Sequence, residues 1–229
     1  MDQDVPKSRT ARTCNLLREA IVHAEFQPGE KLRIDFLGKK FDASIGAIRE
    51  ALSRLTAEGL VLAEPQKGFV VAPISRRDLT DLTEIRVEVE TRCLISSIEN
   101  GDLEWEGRVL ALHHKLRALG KAYGNADTPE AARWFSLHEA FHDALADQCG
   151  NVWWLRLRRE LFVQSERYRR LSRPVDEVGR DIVAEHDDIA NAALARDKTA
   201  AAQAMRAHLE KTTAIILASS LPFSDGAAS

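Results

Sequence analysis

A chain of 229 residues, 45% hydrophobic and 29% charged, is long enough for two modest domains and too apolar to be disordered outside its tails. Its net charge of -3 gives no global attraction to nucleic acid, so any such contact must come from how the charges are distributed. The N-terminus MDQDVPKSRT has no apolar core, and no apolar run approaches the ~20 residues that cross a bilayer, so a cytoplasmic protein with no membrane partner is expected.

The first helix is expected from about Ser8 to Ala24, with Leu16, Leu17, Ala20, Ile21 and Ala24 inward and Pro28-Gly29 as its stop. A second, from Ile34 to Phe41, turns Ile34, Leu37 and Phe41 toward the same core. Asp42-Ala43-Ser44 forms a turn, and the Ser44 hydroxyl can cap the helix that follows. Within Ile45 to Leu60, a period of 3.6 places Ile48, Ala51, Leu52, Leu55 and Leu60 on one face and leaves Gly46, Arg49, Ser53 and Arg54 elsewhere. Two strands, Leu60-Val61-Leu62-Ala63 and Phe69-Val70-Val71-Ala72, flank the turn Pro65-Gln66-Lys67-Gly68. This order is a winged helix-turn-helix, a reading head for double-stranded DNA. Residues 1–74 carry 11 basic and 10 acidic side chains, the remainder 21 and 25, so the asymmetry is small but has the right sign. Lys31, Arg33, Lys39, Lys40, Arg49, Arg54 and Lys67 lie where phosphate contacts are wanted.

Residues 72–75 form a short connector, and Ser75-Arg76-Arg77-Asp78 has the form of a helix start, so the expected domains are 1–74 and 75–229. Helical stretches follow at about 78–99, 102–122, 129–149, 152–171, 174–195 and 198–219, with Thr128-Pro129-Glu130, Gly150 and Asp197 as boundary signals. The fold class is therefore mainly α, a winged helix-turn-helix followed by an all-helical bundle. Cys14, Cys93 and Cys149 are odd in number, widely separated and without Cys-x-x-Cys spacing, which supports neither a disulfide framework nor a thiolate zinc site.

Four histidines of the second domain occupy positions that the helical pattern reserves for apolar residues. His138 and His142 are four apart on the stripe that includes Leu145; His186 lies between Ile182 and Ile189; His208 follows Ala204 and Met205. Neutral nitrogen donors converging from facing helices suit Zn²⁺ or Ni²⁺ better than the oxygen-seeking Mg²⁺ or Ca²⁺. Open coordination positions could then take water or the carboxylate of a small ligand, as in a sensor. His23, His113 and His114 are expected at the surface or as helix caps. A competing expectation is a zinc peptidase, because His138-Glu139-Ala140-Phe141-His142 satisfies H-E-x-x-H with Glu139 as general base and Glu160 or Glu166 as a third ligand. Two further inward histidines would close the coordination that catalysis keeps open. A third is a structural helical dimer with pH-sensitive core histidines.

The runs Phe26-Gln27-Pro28-Gly29-Glu30-Lys31-Leu32, Ile48 to Leu60 and Gly68-Phe69-Val70-Val71 strongly resemble the GntR family of bacterial transcription regulators. Asp78-Leu79, Glu84-Ile85-Arg86 with Glu90, Phe141-His142, Gly150-Asn151, Glu185-His186 and His208-Leu209 are similar to the helical FCD effector domain of its FadR-type branch. The resemblance implies a homodimer on a palindromic operator, with the start of the Arg49 helix in the major groove and the wing at the backbone or minor groove. Ser44, Gly46 and Arg49 become candidates for base edges, Gln66, Lys67 and Gly68 for the wing contact, and Arg33, Lys39, Lys40 and Lys67 for phosphates. Family members often carry an arginine directly after the serine, where this chain has Ile45, so readout there differs. The family's metal set is often one aspartate and three histidines, and here His138 stands in the aspartate's place, which shifts preference away from hard ions. Leu52-Ser53-Arg54-Leu55, Gly68-Phe69 and Glu166-Arg167-Tyr168-Arg169 look most like regulators of the CsiR type. The family resemblance implies a repressor, not an enzyme, and the CsiR likeness implies a C4 to C6 organic acid or amino-acid derivative held on the metal, with Arg86 or Arg167 pairing its second anionic group.

Overall fold

The computed structural model of the protein describes residues 9–120, 128–172 and 180–224. The chain divides into two compact units: residues up to Arg76 with Glu166–Leu171 and the segment from Pro222, and Arg77–Ser165 with Ser172–Leu221. The fold is mainly helical, as the periodicity implies.

In the first unit, α1 (Arg9–Val22), α2 (Ile34–Lys40) and α3 (Ile45–Ala57) precede the hairpin β1 (Val61–Glu64) and β2 (Gly68–Val71). Helix α1 ends at Val22, two residues short of the expected Ala24, and the stop lies at Ala24 itself, ahead of Pro28-Gly29: Ala24 takes a φ of 61° and the Glu25 amide donates back to the Ala20 carbonyl at 2.9 Å. Ser8, its expected first residue, lies outside the described residues. The apolar face read from the sequence is the one that packs, with Leu17, Leu37, Ile48, Leu52, Leu55 and Val71 all fully buried. Ile34 and Phe41 are only half-buried. The strands pair antiparallel from Val61 against Val71 to Glu64 against Gly68. Gln66 and Gly68 adopt φ of 67° and 84° to close the turn between them, a conformation that costs glycine little. A feature absent from the periodicity is a third extended segment: the Gly29 and Leu32 amides donate to the Val71 and Phe69 carbonyls at 2.9 and 2.8 Å.

The second unit holds α4 (Arg76–Asn100) from Arg77 onward, α5 (Leu103–Ala118), α6 (Pro129–Ala146), α7 (Val152–Leu171) up to Ser165, α8 (Ile182–Leu194) and α9 (Lys198–Ala218). Its core joins Leu94 and Ile98 of α4, Trp105 and Val109 of α5, Trp134, Phe135 and Phe141 of α6, Ile189 of α8 and Met205 and Leu209 of α9. Asp102, Thr128, Asp181 and Asp197 each cap a helix by accepting from an amide three residues on. The Asp181 cap fixes the start of α8 at Ile182; the earlier start expected at 174 falls in 173–179, outside the described residues, as do 121–122. No helix among the described residues is long and apolar enough to cross a membrane.

Candidate nucleic-acid interface and metal centre

The first unit presents every DNA-contact candidate to solvent: Arg33, Lys39, Lys40, Ser44, Gly46, Arg49, Gln66, Lys67 and Gly68 are all exposed. Ser44 begins α3 by accepting from the Ala47 amide at 3.2 Å, which leaves the exposed Gly46 and Arg49 on the first turns. Arg49 has no acidic partner among the described residues, whereas Lys40 lies 2.9 Å from Glu25 and Lys67 2.8 Å from Glu64. Such exposed pairs are worth ~0–1 kcal/mol, so a phosphate can displace either carboxylate.

The second unit brings the four expected histidines together. His138 and His142 project from α6, one turn apart, His186 from α8 and His208 from α9, and each is buried. Their ring centroids lie 4.5 Å (138–142), 5.1 Å (138–186), 4.8 Å (186–208) and 5.3 Å (142–208) apart. One nitrogen from each ring can be chosen so that all four fall within 4.8 Å of one another. Donors on one ion at Zn–N of about 2.0–2.1 Å lie ~3 Å apart when adjacent and ~4.2 Å when opposite in five- or six-coordination, so side-chain shifts on the order of an ångström close the set on a metal and leave positions for a further ligand.

The surroundings fit that purpose. Both ring nitrogens of His142 are buried with no hydrogen-bond partner among the described residues, an unfavourable state that a metal bond would relieve at one of them. Burial, then the neighbouring His208, His186, Arg86 and Arg158, hold the His142 imidazole well below its usual pKa, so it is a neutral lone-pair donor. Nδ1 of His208 lies 2.9 Å from the Glu185 carboxylate, which only accepts; the proton therefore sits on Nδ1 and the Nε2 lone pair is left for a metal. Burial also lowers the His208 pKa, and the Glu185 contact opposes it. Glu185 is ionised: burial raises its pKa, but hydrogen bonds from His208, Arg180 and Lys211 outweigh burial and hold it below the usual carboxylate range.

A second buried polar cluster lies beside the imidazoles. Arg158 Nε donates to Glu90 at 2.7 Å and its Nη1 to Asp143 at 2.7 Å. Arg86 approaches Glu90 at 3.4 Å and donates to Ser165 at 2.6 Å. Both guanidiniums stand over Phe162, at 5.1 Å for Arg86 and 5.8 Å for Arg158, and the Phe162 ring centroid is 6.5 Å from that of His142.

Arg86 is thus near the histidines, but Arg167 is not one of this group. Its Nη2 donates to the Ala72 carbonyl and, at 3.4 Å, to that of Pro73, within the first unit. Sequence reasoning missed Arg158, whose only local signal is an i,i+4 spacing to Phe162. His113 also departs from expectation: it is buried, with Nε2 2.7 Å from Asp187, because α5 turns that face toward α8. His23 and His114 are exposed, as expected. All three cysteines are buried free thiols.

The peptidase constellation is not assembled. Glu139, the expected general base, is partly exposed and pairs with Arg159.

Residues 10–71 match the gntR family of bacterial regulatory proteins, and residues 81–211 match the FCD domain. The HTH-type transcriptional repressor GlaR of Escherichia coli K12 is 38% identical over 197 residues, covering 84% of this chain and 89% of its own. The uncharacterized HTH-type transcriptional regulator BphR of Paraburkholderia xenovorans LB400 is 34% identical over 210 residues, covering 92% and 86%. Among solved structures, a putative GntR transcriptional regulator from Rhodococcus sp. RHA1 superposes with a TM-score of 0.74 at 26% identity, covering 92% of this chain and 98% of its own. E. coli McbR/YncC shares the fold, with a TM-score of 0.78 at 20% identity over 92% of this chain and 97% of its own.

Proposed function

The chain belongs to the gntR family of bacterial regulatory proteins, as a DNA-binding transcription regulator with an FCD effector domain, and from that premise we propose a metal-dependent repressor released by a small organic acid. Residues 1–74 are its DNA-binding part and 75–229 its effector part. It acts in the cytoplasm as a homodimer on a palindromic operator, with Ser44, Gly46 and Arg49 at base edges in the major groove. Arg33, Lys39, Lys40 and Lys67 face phosphates, and Gln66 and Gly68 carry the wing. Repression is supported by the likeness to GlaR, itself a transcriptional repressor.

One observation carries the effector half: four buried imidazoles on three helices, each able to direct a nitrogen to one point. Zn²⁺ or Ni²⁺ held by His138, His142, His186 and His208 would act as a Lewis acid binding a carboxylate. Glu185 orients His208, Arg180 and Lys211 hold Glu185, and Arg86 faces the effector's other end. The acid controls the operator only if it binds two arrangements of the protein with different affinity.

Gel shifts with DNA from the region around the coding sequence, with zinc and a panel of C4 to C6 acids, test the proposal. An acid that binds the protein should weaken its operator complex by tenfold or more; an acid that binds and leaves operator affinity unchanged overturns the coupling.

A further inference from the structure

Ile45 opens α3 with its side chain 55% exposed, more than any other large apolar side chain among the described residues of the first unit. A lone surface isoleucine is ordinary by itself, but this one stands beside Gly46 in the same turn. The Gly46 backbone is helical and right-handed, and a β-carbon built there would meet nothing within 4 Å. Nothing inside the chain therefore requires the smallest residue at a position where it weakens the helix. The turn combines an apolar side chain that the core does not take up with a backbone stripped of bulk. Both lie on the helix that a helix-turn-helix lays into the major groove.

Ile45 and Arg49 are four residues apart, so their side chains leave one side of α3 about 6 Å apart along its axis, close to two base-pair steps of about 3.4 Å. Arg49 carries donors for a guanine edge; an aliphatic side chain carries none. Set against the amino group of adenine or cytosine, or the N7 and O6 of guanine, it would cut a polar edge off from water without replacing the lost hydrogen bonds. Only thymine offers an apolar group in the major groove, its C5 methyl. We propose that Ile45 determines specificity by packing on the C5 methyl of one thymine in each half of the operator, and that the bare Gly46 leaves room for the approach. This rests on the placement of α3 in the major groove proposed above and adds the base that its first turn selects. An arginine in place of Ile45 would seek guanine O6 and N7 instead, so the same fold would read a different base pair.

The test starts from the site that the full-length protein selects out of random duplexes. Each thymine of that site, with its symmetry mate in the other half, is replaced by deoxyuridine, which pairs identically and lacks the methyl. Affinity is then measured for the parent protein, Ile45→Ala and Ile45→Val. One thymine per half should stand out, with loss of its methyl weakening the parent complex threefold or more. Ile45→Ala should bind the unmodified site at least threefold more weakly and lose less than twofold when that same methyl is removed. Ile45→Val, one methylene shorter, should fall between the two. Any change that deoxyuridine makes to the duplex itself is common to all three proteins and cancels in the comparison. Gly46→Ala should melt no lower than the parent and bind the site at least tenfold more weakly; undiminished binding overturns the part given to Gly46. A selected site without thymine, a parent protein indifferent to every thymine methyl, or an Ile45→Ala variant as methyl-sensitive as the parent overturns the role of Ile45 and leaves the groove placement standing. A protein that selects no sequence at all overturns both.

Discussion

Arg49 and the histidines carry opposite kinds of chemistry, and each can be removed without the other. Arg49 is exposed on α3 with no acidic partner among the described residues, so Arg49→Ala should weaken operator binding at least tenfold, in line with ~1–3 kcal/mol per base contact, while helicity and metal content stay unchanged. Retained sequence-specific affinity would contradict its role. His142→Ala combined with His186→Ala should bring metal stoichiometry by elemental analysis close to zero, and full occupancy in that variant would refute the site. These residues were legible in the chain because each imidazole sits on an apolar helical stripe, where a polar ring is conspicuous. Arg158–Glu90, His113–Asp187 and Arg167–Ala72 were not legible. Their partners lie 68, 74 and 95 residues apart, and no local period encodes which helices face each other.

Among the elements, α4 and the end of α6 share a small cluster in which Cys93 and Cys149 pack with Val89 and Ala146. Burial, reinforced by the neighbouring Cys149, pushes the Cys93 thiol from 9.0 up to about 12. Above the lower value the unfolded chain releases a proton that the folded chain retains, so this group lowers stability as pH rises from 9.0 toward about 12. Cys93→Ala should therefore show a shallower fall in melting temperature between about pH 8 and pH 10.5 than the parent protein, whatever its starting stability. An equal slope in both would remove the thiol from the account. The helices themselves were largely readable, because caps such as Ser44, Thr128 and Asp197 mark their starts. The extended segment at 29–32 was not, because its strand character comes from pairing with β2 and not from its own residues.

For the molecule as a whole, a ligand held only by the folded state stabilises it by mass action. Zinc at a hundredfold its dissociation constant adds about 2.7 kcal/mol, and for a chain of this length the melting temperature should rise by roughly 5–10 °C and fall back on chelation. No shift in a protein that has taken up the metal would mean that the unfolded chain binds it equally well. The overall architecture was readable from the sequence as a DNA-binding head followed by helices, but the grouping of Glu166–Leu171 with the first unit was not, since it follows from packing between segments distant in sequence. The lysines already engaged by Glu25 and Glu64 bear on how the regulator responds to ionic strength. A lysine that exchanges a carboxylate for a phosphate leaves a new negative charge facing the duplex, so part of the attraction is withheld until the correct complex forms. Glu25→Gln with Glu64→Gln should strengthen binding to random DNA more than to the operator and steepen the dependence of log affinity on log salt, by up to ~0.9 for each further phosphate neutralised. The two acids would then serve as a brake on indiscriminate adhesion to the chromosome, a property that matters to a DNA-binding regulator as much as its affinity for any one site.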